Sequence, residues 1–284
     1  MLMRGINRFK AQHAFLCEHP AWVKKLKFKS IPDRTTLSRR YKQLAPKIEQ
    51  FVDYLGDLGV ALDTDTPRDV VFVDKSLYKA AGSVWHQKDR KADHIPEGVC
   101  TLDTDASWST SKYRGWVYGY GLHLTTTATG FPMFANVCTA AVREKTGLEQ
   151  RTDALLARNI QYVVADAGYT DFTRTQTLAK DGLFLLTPIT SAKGTEKVAY
   201  LKAIETSPQL ETYQKQRKTA IEPVFNLLTD LTGTKNNQKQ LPISRLENVR
   251  TFLMLAIVLL QIAMLANSIW NRPHREVSRM KTLF

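Results

Sequence analysis

Through the middle of the chain the apolar positions come in short unbroken runs. Val70-Val71-Phe72-Val73 is β-branched and aromatic and ends at Asp74. Ile160-Gln161-Tyr162-Val163-Val164-Ala165 ends at Asp166, and Leu183-Phe184-Leu185-Leu186-Thr187 is a third run. Such runs predict buried strands. Trp116–Leu124, a turn near Gly130 and the segment Phe131–Val137 predict a β-hairpin. Elsewhere the apolar residues recur at helical spacing. Residues 145–158 predict an amphipathic helix and residues 171–181 another. Residues 210–232 predict a long helix that contains Glu222 and stops at Gly233. The order is strand–Asp, hairpin, helix, strand–Asp, helix, strand, helix with Glu. It predicts an α/β fold, a mixed sheet covered by helices. Residues 79–115 carry many charges and turn signals and read as a long surface excursion, and residues 189–208 as a polar loop.

The two ends are helical. Residues 1–60 predict helices, with Ile31-Pro32-Asp33-Arg34-Thr35-Thr36 as a turn into a helix that Asp33 or Thr35 caps and that runs to about Leu58. Residues 61–69 read as a linker or turn. The division expected is a helical region, 1–66, for DNA binding or dimerisation, and a second domain, 67–284. Residues 252–270 are apolar apart from Gln261, Asn267 and Ser268. Their length would span a bilayer, but the polar residues favour a core helix that is apolar all round, and no membrane is expected.

Charge sharpens the picture. Lys and Arg number 40 against 27 Asp and Glu, a net +13. An excess of that size favours a polyanionic partner, because each phosphate neutralised releases counterions. Nine of the basic residues, against Asp33 alone, lie between Lys24 and Lys47. A short helix, a turn and a basic helix resemble a DNA-binding element, with Arg39, Arg40 and Lys42 as contacts. A solvated basic face on a packing helix is the competing reading. Cys17, Cys100 and Cys138 match no zinc spacing. Their usage and the absence of an apolar run in the first residues suggest a cytoplasmic protein, associated with the nucleoid if it binds DNA.

Asp74 and Asp166 end buried strands, where functional side chains of open α/β sheets sit. Two carboxylates on one sheet repel unless a cation screens them. Mg²⁺ suits such oxygen ligands. A third carboxylate from a helix, Glu222, would complete a site able to hold two ions and support in-line displacement at phosphorus.

Short motifs point the same way. Ala165-Asp166-Ala167-Gly168-Tyr169 resembles the Ala-Asp-x-Gly-Tyr signature around the second acid of bacterial insertion-sequence DDE transposases. Arg217 to Phe225, RKTAIEPVF, resembles their Arg…Val-Glu-x-x-Phe helix. Val71 to Ser76 resembles their strand with Asp-Ser-Thr, and Gly119 to His123 their Gly-Tyr-Lys-Leu-His hairpin. The resemblance extends from about residue 70 to 271. It implies an RNase H-like catalytic core in which Asp74, Asp166 and Glu222 bind two Mg²⁺ (or Mn²⁺) ions. It also implies double-stranded DNA as partner, cleavage and strand transfer at the ends of a mobile element, and a homodimer in the DNA complex. Arg217 and Lys218 would reach phosphate, Arg bidentately. The sequence departs from the family's Tyr-x2-Arg-x3-Glu-x6-Lys pattern: its slots hold Lys215, Lys218 and Thr229, so Tyr213 and Arg217 are out of register. A DNA-binding remnant with an inactive core is the alternative function.

Other residues compete. Asp103 and Asp105 form an Asp-x-Asp pair ahead of the hairpin and rival Asp74 as first acid. His86 and His123 are candidate DNA contacts or proton shuttles, though the pattern around His123 favours a core position. Trp85, Trp108 and Trp116 could stack on bases, with core packing the preferred reading. Tyr213 could pack or touch DNA. Gly168 and Tyr169 would shape the turn after Asp166, the glycine allowing close approach of phosphate. Nothing in the sequence fixes whether Glu144 or Glu149 reaches the acids.

Overall fold

A computed structural model describes residues 2–63, 66–188 and 210–279. The polar stretch 189–208 lies outside the described residues. At the centre is a mixed sheet. Strand β1 (Val70–Lys79) pairs antiparallel with β3 (Gly115–Thr126), from Phe72 opposite Thr126 to Lys79 opposite Gly119. The far edge of β3 holds β2 (Ser107–Ser111) and β4 (Pro132–Thr139) end to end, both antiparallel. On its other side β1 pairs parallel with β5 (Tyr162–Val164), and β5 parallel with β6 (Phe184–Leu186). The spatial order β4-β3-β1-β5-β6, antiparallel on one side of β1 and parallel on the other, is RNase H-like. The expected α/β class and the hairpin are both present.

The parallel half needs crossovers, which cover the sheet. Helices α5 (Glu144–Glu149) and α6 (Thr152–Leu156) lead from β4 to β5, and α7 (Phe172–Lys180) from β5 to β6. Their Leu148, Leu155 and Leu178 pack with Val71 and Val73 on one face of β1. Phe72 and Tyr78 share the other core with residues of α3 (Arg34–Leu62), α8 (Leu210–Ala220), α9 (Glu222–Thr232) and α10 (Leu246–Ile269). Before α3 come α1 (Phe9–Glu18) and α2 (Pro20–Lys25). Asp33 caps α3, its carboxylate accepting from the backbone N–H of Thr35 (2.6 Å) and Thr36 (3.0 Å). Helix α3 comes so close to β4 that a Cβ on Gly56 would stand 2.4 Å from the carbonyl oxygen of Met133. Gly56→Ala should therefore destabilise the fold by about 1–3 kcal/mol, although alanine is the better helix former. Thermal unfolding checks this, and an unchanged or raised midpoint contradicts it.

Residues 252–270 belong mainly to α10. By length and composition it could cross a membrane, yet it is a core helix here, with Val249, Leu253, Ile257, Leu260 and Met264 buried. Gln261 is fully buried and donates to the carbonyls of Val52 (2.8 Å) and Pro132 (3.0 Å), tying α3 and β4 to α10. A buried amide with partners of this kind belongs inside a protein.

Four expectations are corrected. Strand β1 does not end at Asp74. Pairing with β3 carries it to Lys79, because Lys75 buries its stem and donates to the carbonyls of Ala140 (3.0 Å) and Val142 (2.6 Å). The 79–115 stretch is not all surface: Trp85, Asp103 and Ala106 are buried, and it contains α4 (Gln87–Lys91) and β2. The 145–158 helix is two short helices. The 210–232 helix breaks at Ile221, since Pro223 has no N–H to give the carbonyl of Thr219. That carbonyl accepts instead from Arg275 Nη1 at 2.6 Å.

Candidate active site

The site lies where β5 stops and β1 goes on. Phe72 is opposite Val164, and continuing this parallel register by two residues sets Asp74 level with Asp166. Beyond that point β5 no longer pairs with β1, and that edge is taken up again only at Lys79, which bridges Gln240, so the acids lie at the gap between. Asp74 is thus a mid-strand residue beside an opening. Asp166 begins the turn Ala167–Tyr169 and accepts from the Gly168 N–H at 2.9 Å. The helix break brings in the third acid. Glu222 is the first residue of α9 and is half exposed.

Arg217, on the last turn of α8, joins two of these acids. Its Nη1 lies 3.4 Å from Asp74 Oδ2 and its Nη2 3.6 Å from Glu222 Oε1. Burial pushes Asp74 up to about 6; Arg217 opposes this, while the charges of Asp166 and Glu222 add to it. The three acids therefore share one electrostatic environment. Lys239 approaches from the segment after α9. Its ammonium donates to Ser76 Oγ at 2.7 Å, two residues along β1 from Asp74, and burial lowers it to about 8. No sequence pattern pointed to Lys239, which lies in an irregular segment.

Among the described residues no three acidic, histidine or cysteine side chains converge tightly enough to enclose a metal ion. The chemistry of the acids still fits a hard divalent cation: the donors are carboxylate oxygens, they repel one another, and a guanidinium already stands between two of them.

A family model described as "Transposase DDE domain" matches residues 65–259. The chain belongs to the transposase DDE domain family. Two solved structures are similar over most of this chain. One is the pre-cleavage Mos1 transpososome, at 10% identity over 90% of this chain and 76% of that one, with a TM-score of 0.25. The other is the Mos1 strand transfer complex, at 11% identity over 92% and 78%, with a TM-score of 0.24. Scores this low carry no argument, and the fold assignment stands on strand order and register. A comparison with curated proteins gave no match.

Within the transposase domain, Asp103 and Asp105 do not join the other acids. They hold the start of α10. Asp103 Oδ2 accepts from Tyr120 OH (2.7 Å) and the Arg245 N–H (3.1 Å), and Asp105 Oδ2 from the Leu246 N–H (3.0 Å). Carboxylates at a helix N-terminus satisfy free N–H groups and favour the helix dipole. Asp103→Ala should cost about 2–4 kcal/mol, by leaving buried donors unpaired. Unfolding in urea measures this, and a loss below about 1 kcal/mol contradicts the structural role.

Other candidates separate by burial. Tyr213 is a core residue against Tyr162, with ring centroids 5.7 Å apart. His123 is buried, and burial, with Lys75 nearby, lowers it to about 4. Trp85 and Trp108 donate to the carbonyls of His94 and Trp85, whereas Trp116 is 65% exposed, against the core placement preferred for it. It stands near the exposed end of β3, where the alternation could not show which face was covered. His86 is exposed. Lys218 is exposed on α8, and Arg39, Arg40 and Lys42 are exposed on α3. Glu149 is exposed and paired with Arg174. Gly168 matters for room: a Cβ there would lie 2.7 Å from Glu144 Oε2.

Proposed function

We propose that this protein is a transposase that cuts and joins DNA at the ends of a mobile element, with Asp74, Asp166 and Glu222 as its catalytic acids. The observation carrying this reading is that the β1–β5 register, continued by two residues, sets Asp74 level with Asp166, with Arg217 linking Asp74 to Glu222. The three carboxylates would hold two Mg²⁺ or Mn²⁺ ions. Bound there, the ions would help deprotonate the attacking oxygen and offset charge on the leaving one. In cleavage, a water oxygen attacks phosphorus and the bond to the 3′ oxygen breaks, leaving a 3′-hydroxyl and a 5′-phosphate. In strand transfer that 3′-hydroxyl attacks a target phosphorus, the bond from phosphorus to the target's own 3′ oxygen breaks, and the target strand is left with a free 3′-hydroxyl. Arg217, released from the acids, can grip a phosphate with two N–H groups, and Lys218 can add a point charge beside it. Arg39, Arg40 and Lys42 would track the duplex backbone from α3. The protein would act as a homodimer in its DNA complex, among the nucleoid in the cytoplasm.

The test is a supercoiled plasmid carrying the element's own ends, incubated with Mg²⁺ or EDTA and with wild type or Asp166→Ala. Metal-dependent cuts at the ends that vanish in the variant support the reading. Tight binding without cutting under any divalent metal would mark an inactive DNA-binding remnant.

A further inference from the structure

Beside the Asp74–Arg217–Glu222 bridge, a second pair of carboxylates comes together with no salt bridge to either among the described residues. Glu144 opens α5, and Asp166 follows β5. A Cβ built on Gly168 would lie 2.7 Å from Glu144 Oε2 and 3.1 Å from Asp166 Oδ1, so the two carboxylates border one small volume. Both are partly buried. Among the described residues Glu144 makes no hydrogen bond or ion pair, and Asp166 accepts from the Gly168 N–H. The ammonium of nearby Lys75 donates to two backbone carbonyls, and its charge acts on Glu144 without forming a salt bridge. Like charges placed this close and partly out of water are costly unless a cation joins them.

A second observation marks the same volume. Tyr169 is fully buried, and its hydroxyl has no hydrogen-bond partner among the described residues. Burial holds its pKa well above the ordinary value. The charges of Asp74, Glu144 and Asp166 push it further up, and that of Arg217 draws it down. The hydroxyl lies within reach of the charges of those acids, and a buried hydroxyl without a partner calls for one.

We propose that Glu144 is a fourth carboxylate of the site and that it forms, with Asp166, the place where a divalent cation is held before DNA arrives. The inference rests on the reading of Asp166 as a metal-holding residue. The order of filling follows from Arg217. A cation between Asp74 and Glu222 must first displace a guanidinium, whereas the Lys75 ammonium near Glu144 is bound to two backbone carbonyls and forms no salt bridge that must be broken. Carboxylate oxygens with a hydroxyl alongside suit Mg²⁺ or Mn²⁺, which keep several waters. Tyr169 supplies the hydroxyl.

Mn²⁺ binding to the full chain without DNA, followed by the electron paramagnetic resonance signal of the free ion, tests this. Variants are first matched to wild type by circular dichroism. Glu144→Gln and, as a second substitution, Glu144→Ala should each weaken Mn²⁺ binding about tenfold or more, since affinity follows the charge and number of ligands. Glu149→Gln, which removes a neighbouring charge that faces Arg174, should leave it unchanged. Glu222→Gln should lose less than Glu144→Gln. Wild-type binding in both Glu144 variants, with binding lost in Asp166→Asn, overturns the role of Glu144 and leaves the three-acid reading standing. Wild-type binding in Asp166→Asn as well removes the three-acid reading itself. A loss in Glu222→Gln as large as in Glu144→Gln, or no Mn²⁺ bound by wild type without DNA, overturns the order of filling.

Discussion

Asp166→Asn and Asp74→Asn each abolish DNA strand cleavage, by on the order of 10³-fold or more, while DNA binding stays within a few-fold of wild type. The expected size comes from the role assigned to the acids. In that role they would touch the reaction through the cations they hold, and an amide of the same shape supplies neither the charge nor the lone pairs. Binding survives because it comes from other residues. The exposed Arg39, Arg40 and Lys42 on α3 and Lys218 on α8 are untouched by either change, and phosphate contacts of this kind carry most sequence-independent affinity. Removing a carboxylate from a basic protein also takes away repulsion toward DNA. Cleavage and electrophoretic mobility shift are measured on the same end-bearing duplex. Cleavage retained within tenfold in either variant removes that residue from the catalytic set. Loss of binding together with cleavage would instead mean that the variant disturbs the fold.

The second large effect is on stability. Asp74→Asn raises the thermal midpoint of the metal-free protein at pH 7.5 by several degrees, and the gain disappears at pH 4. Asp74 is a carboxylate whose folded pKa, about 6, is above its ordinary 3.8, with burial as the main cause. Between those values the folded chain holds a proton that the unfolded chain has released. The stability this provides is complete below about pH 4 and is lost as pH rises through 6. Asparagine carries no charge at any of these pH values, so the variant escapes the loss. The gain is on the order of 2 kcal/mol, because Asp74 is mostly shielded from water. Asp74 also stands among Asp166 and Glu222, whose charges add to the strain, and Arg217 offsets only part of it. Melting curves in EDTA at the two pH values decide the matter. An equal shift at both pH values, or a lower midpoint at pH 7.5, contradicts it. A residue that destabilises its own fold at working pH is what an acid kept for cation binding should look like.

Much of this protein was legible in its sequence, but unevenly. The buried runs before Asp74 and Asp166 gave two central strands, because strands covered on both faces need little beyond β-branched and aromatic residues. The hairpin was readable from alternation around Gly130, and the start of α3 from Asp33. Boundaries failed where local pattern and tertiary pairing disagreed. Lys75 and Ser76 look like a strand end, yet β3 pairs with β1 through both. The helix expected over 210–232 breaks at Ile221 beside Pro223, and whether a proline kinks or ends a helix depends on what receives the freed carbonyl, here Arg275.

The sequence by itself determined the layered α/β class, the order of strands and acids, and the basic excess that suits a polyanionic partner. These are set by local pattern and composition, which need no knowledge of distant contacts. Only the tertiary structure decided which acids meet. Asp103 and Asp105 are carboxylates ahead of the same hairpin as Asp74, but β3 and α10 turn them into the clasp of a helix. Arg217, out of register by counting, reaches Asp74 and Glu222 because the chain breaks between α8 and α9. Glu144 and Asp166 both border Gly168, whose missing side chain leaves room for their carboxylates. Each of these depends on residues far apart in the chain being packed within a few ångströms, and spacing along the sequence does not encode that.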